Sequence, residues 1–181
     1  MSVTRYSVDN YEEMIRLGVL GENDRVELIR GEIVPKMPIG SKHAGSVKRM
    51  NSLISSRAGN RSVVGVQDPV RLIDSEPEPD ISVMRPRSDF YSTSHPQPPD
   101  ILMIARVSDS SLDEDRNIKG PLYAEAGIPE YWIVNLIDEC IEIHRGPQAD
   151  GTYQDVRVLR RGEQAEIAAL PGVSIAVDEV I

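Results

Sequence analysis

Residues able to do chemistry gather in four places. Glu76-Pro-Glu-Pro-Asp80 opens an apolar run, Ile81-Ser-Val-Met; a second run, Ile101-Leu-Met-Ile-Ala, leads into Arg106-Val-Ser-Asp-Ser-Ser; Lys119 follows in a carboxylate-rich segment; and Tyr131-Trp132 begins a third run. A carboxylate heading an apolar strand must be solvated, paired or bound to a cation, because burying it bare is costly. Asp80 is therefore either an ordinary strand-end aspartate or a ligand. Ser108-Asp-Ser-Ser111 taken alone reads as a turn and helix cap. Lysine is scarce: Lys36, Lys42 and Lys48 lie early, and Lys119 stands alone in the rest. Its plain reading is a solvated helix position, and its chemical reading a cation set among acids.

Other constellations carry less. Ser110 or Ser111 with His95 or His144 lacks the Gly-x-Ser-x-Gly spacing of a nucleophile elbow. The three histidines have no zinc spacing, and no glycine pattern of a phosphate loop occurs. Phe90 and Tyr91 in a polar, proline-rich stretch suggest a small-molecule binding loop, with loop anchoring the preferred explanation. Cys140 is the only cysteine and lies in the alternating run Cys-Ile-Glu-Ile, so it reads as core and no intrachain disulfide can form.

The elements that would position these groups follow from periodicity. Ser7 to Gly18 reads as a short helix with an apolar stripe of Tyr11, Met14, Ile15 and Leu17. Arg25–Arg30 and Glu32–Lys36 flank Gly31 as a hairpin. Ser41 caps a longer helix to about Arg57, buried along Ala44, Val47, Met50 and Ile54, with Gly59 as its stop. His43, in its first turn, reads as a helix-terminal hydrogen bond, with a group facing a site as the alternative. Strands are expected at Ser62–Val66, Val70–Ile73, Ile81–Met84 and Ile101–Ala105, with a long loop from Arg85 through four prolines between the last two. Asp113–Ala126 is helical, with Asp115 and Lys119 at i, i+4 and a bend at Gly120-Pro121. Tyr131–Leu136 pairs with the strand at Cys140–His144, and the remainder is further β structure. The sum is an α/β core with a mixed sheet, an N-terminal helix and hairpin, and a C-terminal β extension, expected as one domain over residues 1–181.

Composition bounds the function. The 181 residues carry a net charge of −9, and 40% are hydrophobic, an ordinary globular balance. No apolar run approaches the roughly 18 residues of a membrane span, and the N-terminus shows no leader, so the cytoplasm is the expected compartment. The acidic balance argues against a general nucleic-acid coating protein, although it leaves room for a local basic groove.

The ordered series is similar to the Uma-two restriction-endonuclease family, members of the PD-(D/E)xK nuclease fold. Val26-Glu-Leu-Ile-Arg-Gly-Glu-Ile, Gln67-Asp-Pro-Val-Arg-Leu, Glu76-Pro-Glu-Pro-Asp80, Val107-Ser-Asp-Ser-Ser-Leu, Asp115-Arg-Asn-Ile-Lys119 and Tyr123-Ala-Glu-Ala-Gly-Ile-Pro-Glu-Tyr-Trp-Ile-Val stand in family order. The resemblance implies a three-layer α/β/α restriction-endonuclease-like core, Asp80 as the first metal-binding carboxylate for Mg²⁺ or Mn²⁺, and Lys119 as the catalytic lysine. It also implies DNA as partner and a homodimer. Glu27, His43, Gln67 and Ser108 are candidate lining residues. One departure stands out: Arg106 occupies the position of the family's usual second acid. Arg106 could pair with Asp80 in the metal's place, or Glu76, Glu78 or Asp109 could substitute as the acid. The expected function is thus a metal-dependent DNA endonuclease with a degenerate site. The alternative is a non-catalytic descendant binding nucleic acid or a protein.

Overall fold

A computed structural model describes residues 4–181. Ser7 caps α1 (Val8–Arg16) by accepting the Asn10 N–H at 3.1 Å. The hairpin β1 (Val26–Ile29) and β2 (Glu32–Pro35) turns through Arg30 and Gly31, both at positive φ (49° and 79°), a pair of angles that suits a two-residue hairpin turn. The long helix α2 (Ser41–Ala58) follows, capped by Gly40 rather than Ser41, and Gly59 at φ 56° ends it. Then come β3 (Val63–Val66), β4 (Ile81–Met84) and β5 (Ile101–Ser108). A broken helix is made of α3 (Leu112–Glu114), a π turn (Asp115–Lys119) and α4 (Gly120–Glu125). Strands β6 (Glu130–Asn135), β7 (Cys140–Pro147), β8 (Tyr153–Arg160), β9 (Gln164–Glu166) and β10 (Ser174–Ala176) and the short α5 (Val177–Val180) complete the chain.

The main sheet has the order β3-β4-β5-β6-β7-β8 and is mixed, β5 and β6 being its parallel pair. Its two faces follow from strand alternation. Met103, Ala105 and Val107 face Val47, Met50 and Ile54 of α2, together with Ile167, Ile175 and Val177 from the C-terminal segment. Ile104, Tyr131 and Ile133 face Leu122 and Tyr123 of α4. This is the expected three-layer arrangement. The β9–β10 hairpin forms its own two-stranded sheet, and α5 ties it to α2 where Ser46 Oγ donates to the Val180 carbonyl at 2.7 Å.

Local expectations fail in three places, each for a physical reason. Val70–Ile73 is no strand: Val70 and Leu72 are buried, but Ile73 is 98% exposed. The following Pro77 and Pro79 withhold ladder donors, leaving a single bridge between Leu28 and Glu76. The stripe on α1 is one turn deep, with Tyr11 buried but Ile15 and Leu17 exposed, because the hairpin beneath it is only four residues per strand. Tyr153–Arg160 is the expected β structure and extends the main sheet as β8. Asp115 and Lys119 do not pair. Pro121 has no N–H to give, and the Gly120 N–H reaches back to the Asp115 carbonyl, opening the helix by one residue per turn.

The strand-like bridge at Glu76 buries its carboxyl beside Glu12 of α1. Burial, then the hydrogen bond and charge of Glu12, push its pKa up to about 8. The folded-state pKa lies above the ordinary glutamate value of about 4.5, so the protonated form contributes stability that is fully present below about pH 4.5 and lost as pH rises through about 8. Urea midpoints measured from about pH 5 to about pH 9 should therefore fall, and Glu76→Gln should flatten that fall. An unchanged slope in the variant would assign the decline to other groups.

Candidate active site

The β4–β5 register pairs Ile81 with Ala105, so the next position brings Asp80 beside Arg106. Asp80 is 3% exposed, and both its oxygens are engaged. Oδ2 accepts the Val107 N–H at 2.8 Å; Oδ1 accepts from Gln67 Nε2 at 3.3 Å and lies 3.2 Å from His43 Nε2. Gln67 reaches inward from a positive φ of 56° directly after β3. The sequence expectation for His43 is corrected: its ring does not close the end of α2 but faces Asp80.

Arg106 sits between two acids. Its Nε donates to Asp115 Oδ1 at 2.8 Å, its Nη1 donates to the Glu78 carbonyl at 3.2 Å, and Nη1 stands 3.8 Å from Asp80 Oδ2. Asp115, not Asp80, is thus its closest partner. Asp115 is fully buried and also accepts from Ser108 Oγ and Ser111 Oγ, each at 2.6 Å. Ser108 accordingly supports Asp115 from behind and does not line the cleft. On the other side of the cluster Lys119, with no exposed surface, donates to Glu27, whose second oxygen accepts the Glu78 N–H at 3.0 Å. Lys36 is paired with the Glu78 carboxylate.

The charges shape one another. Burial would raise the Asp80 pKa, but the His43 hydrogen bond, Arg106 and the Val107 N–H together hold it below the usual carboxylate range. His43 is pulled down by burial and pushed up by Asp80 and Asp109, and the net result is a raised pKa that favours the imidazolium. Burial lowers the pKa of Lys119 more than Glu27 restores it. Arg106 is buried too, yet Asp80 and Asp115 hold it firmly charged.

These groups border a cleft of about 210 Å³. Five carboxylates line it, Glu27, Glu78, Asp80, Asp109 and Glu114, against the cations Arg25, Lys36 and Arg106. Met37 and Ile39 stand exposed at its mouth. Of the sequence candidates, the structure brings Asp80, Arg106, Glu27, His43 and Gln67 to this cleft, while Lys119 meets it only through Glu27. Asp115 is the group that sequence reading missed. Its signal was the pair of serines at Ser108 and Ser111, read as caps for a turn rather than as donors to one acid.

A divalent ion does not suit this donor set. Asp80 has spent its oxygens on four neighbours, a guanidinium stands where a second acid would chelate, and Glu27 and Glu78 each hold a lysine. No group of three His, Cys, Asp or Glu side chains among the described residues has a metal-binding arrangement.

The three layers and the cleft at the ends of β4 and β5 define a restriction-endonuclease-like nuclease scaffold. Residues 8–178 match the model of the Uma2 family, described as "putative restriction endonuclease", and the chain belongs to that family. Its fold is similar to the crystal structure of a "putative nuclease belonging to DUF820" from Anabaena variabilis ATCC 29413, with a TM-score of 0.77, 16% identity and 97% of each chain covered. No curated protein matches the chain.

Removing Asp115 would leave Arg106 buried without its closest acceptor. Asp115→Ala should cost about 3–5 kcal/mol in urea unfolding, the range for breaking a buried pair on one side. Adding Arg106→Met should recover part of that loss. A double-variant cost equal to the sum of the Asp115→Ala and Arg106→Met costs would show that the two residues do not couple.

Proposed function

We propose that this chain is a DNA-directed member of the family in which Arg106 takes the place of a second metal-binding acid, so that the cleft engages a phosphodiester without hydrolysing it. The single observation that carries this reading is the seat of Arg106, 2.8 Å from Asp115 and 3.8 Å from Asp80. The guanidinium is a permanent cation whose Nε and Nη1 are held by Asp115 and the Glu78 carbonyl, which leaves Nη2 as its donor for a phosphate oxygen. Hydrolysis asks for more. An attacking water needs a base and the phosphorane needs charge stabilisation as it forms. Asp80 is a poor base because its pKa is depressed and its oxygens are occupied, and Lys119 is screened from the cleft by Glu27. DNA as the partner goes with a cytoplasmic location, and among the described residues no helix is long and apolar enough to cross a membrane.

A second reading keeps the chain a metal-dependent hydrolase. The cleft lining carries five acids against three cations, a surplus that would suit Mg²⁺ or Mn²⁺ if a lysine released Glu27 or Glu78.

Plasmid cleavage with Mg²⁺ or Mn²⁺ and duplex binding by fluorescence anisotropy separate the two. The chain as it stands should bind duplex DNA at low salt without cutting it, and Arg106→Ala should weaken binding about tenfold, the loss of one charge-assisted contact. Arg106→Glu puts an acid against buried Asp115, so the paired variant Arg106→Glu/Asp115→Asn is the one expected to gain cleavage. Cutting by the unaltered chain that Asp80→Ala abolishes would establish the second reading, and failure to bind DNA at low salt would overturn the first.

A further inference from the structure

β8 ends the main sheet, and among the described residues no strand pairs with its outer edge. Its eight residues, Tyr153–Arg160, contain neither proline nor glycine, so half of their backbone N–H and C=O groups face outward in a regular row. Such an edge is a template for another strand. Val156 and Val158 on one face are 52% and 49% exposed.

Among registers centred on residues 155, 156 and 157, the sequence of the edge favours one. A twofold axis perpendicular to the sheet keeps each face on its own side, so it must pass through a residue position rather than between two. Passed through Asp155, it sets aspartate opposite aspartate; passed through Arg157, it sets arginine opposite arginine. Both arrangements are destabilising. Passed through Val156, it sets Val156 against Val156, Asp155 against Arg157 of the second copy on both sides of the axis, and Tyr153 against Leu159. Val158 then lies diagonally beside the Val156 of the second copy, gathering four valines on one face. Asp155 and Arg157 now hold each other on the same strand at 3.1 Å, and both are exposed, so reaching across requires only a change of rotamer.

We propose that β8 pairs antiparallel with β8 of a second copy about a twofold axis through Val156, joining two sheets into one. The surface is isologous and self-complementary, as a closed dimer requires, and it is independent of what the cleft binds.

Sedimentation of the full chain and single-cysteine crosslinking test this surface and register. At about 100 μM, well above a micromolar Kd, the chain should sediment as a dimer. Val156→Cys should crosslink to itself under mild oxidation, because residues facing across the axis have Cα atoms about 4.5–5.5 Å apart. Val158→Cys should not, since its copies would be separated by about 13 Å along the strand; Cys140 is buried and stays out of reach. Asp155→Arg and Arg157→Asp should each raise the dimer Kd about tenfold or more, and the double exchange should restore it. A monomer at that concentration, crosslinking at position 158 as ready as at 156, or a double exchange that fails to recover would each overturn the proposal.

Discussion

The buried contact between Arg106 and Asp115 governs most of what surrounds it. A guanidinium inside a sheet layer is costly unless its charge and donors are met, and here Asp115 meets it directly while the Glu78 carbonyl takes a second donor. Asp115 in turn is fixed by Ser108 and Ser111 through its side chain and by Tyr131 Oη through its carbonyl. One ion pair therefore joins β5, the start of the broken helix and β6. Because Asp115 is the first residue of the π turn, holding it also sets the direction in which the last residue of that turn, Lys119, leaves the helix.

That direction explains why Lys119 answers to Glu27 and not to the acid four residues before it. In a regular helix the two would share a face. The wider turn takes them out of line, and Lys119 crosses to the hairpin, where β1 presents Glu27. The hairpin is in turn linked to the segment before β4 by the Glu27 contact to the Glu78 N–H and by the Leu28–Glu76 bridge. Hairpin, sheet and broken helix are thus closed around the cleft through charged contacts, while the two larger apolar clusters lie on the sheet faces and a smaller one, Val8, Tyr11 and Leu28, joins α1 to the hairpin.

Much of this was legible in sequence because it is set by period and position. Apolar runs gave β4, β5 and β6, and the family resemblance placed Asp80 with Arg106, a pairing that the antiparallel register of β4 and β5 explains. Partner choice was not legible. Asp115 looked like a helix-surface acid because the π turn that buries it depends on the absent N–H of Pro121 together with two serines that come before it in the chain. His43 looked like a capping group because nothing local says that α2 starts against the open end of β4. Val70 to Ile73 has strand composition but lies where the chain crosses over the hairpin, with prolines on its far side. The contact that decided His43 was long in sequence and short in space, whereas those that decided Asp115 and Val70–Ile73 lay within about ten residues but off the periodic pattern.

The same contacts decide what the charged centre can accept. Innermost are three acids, Asp80, Asp115 and Glu27, and three groups that carry or favour positive charge, Arg106, Lys119 and His43, whose pKa is raised. The cluster is balanced without any added ion. A divalent cation placed about 4 Å from the guanidinium would meet a repulsion of roughly 8 kcal/mol at an effective dielectric near 20, before its own desolvation. Offsetting that would require carboxylates now committed to lysine or to backbone N–H groups. Arg106 and a metal ion are therefore alternatives for the same charge, and the fold reaches its closed, neutral arrangement with the side chain that its own sequence supplies.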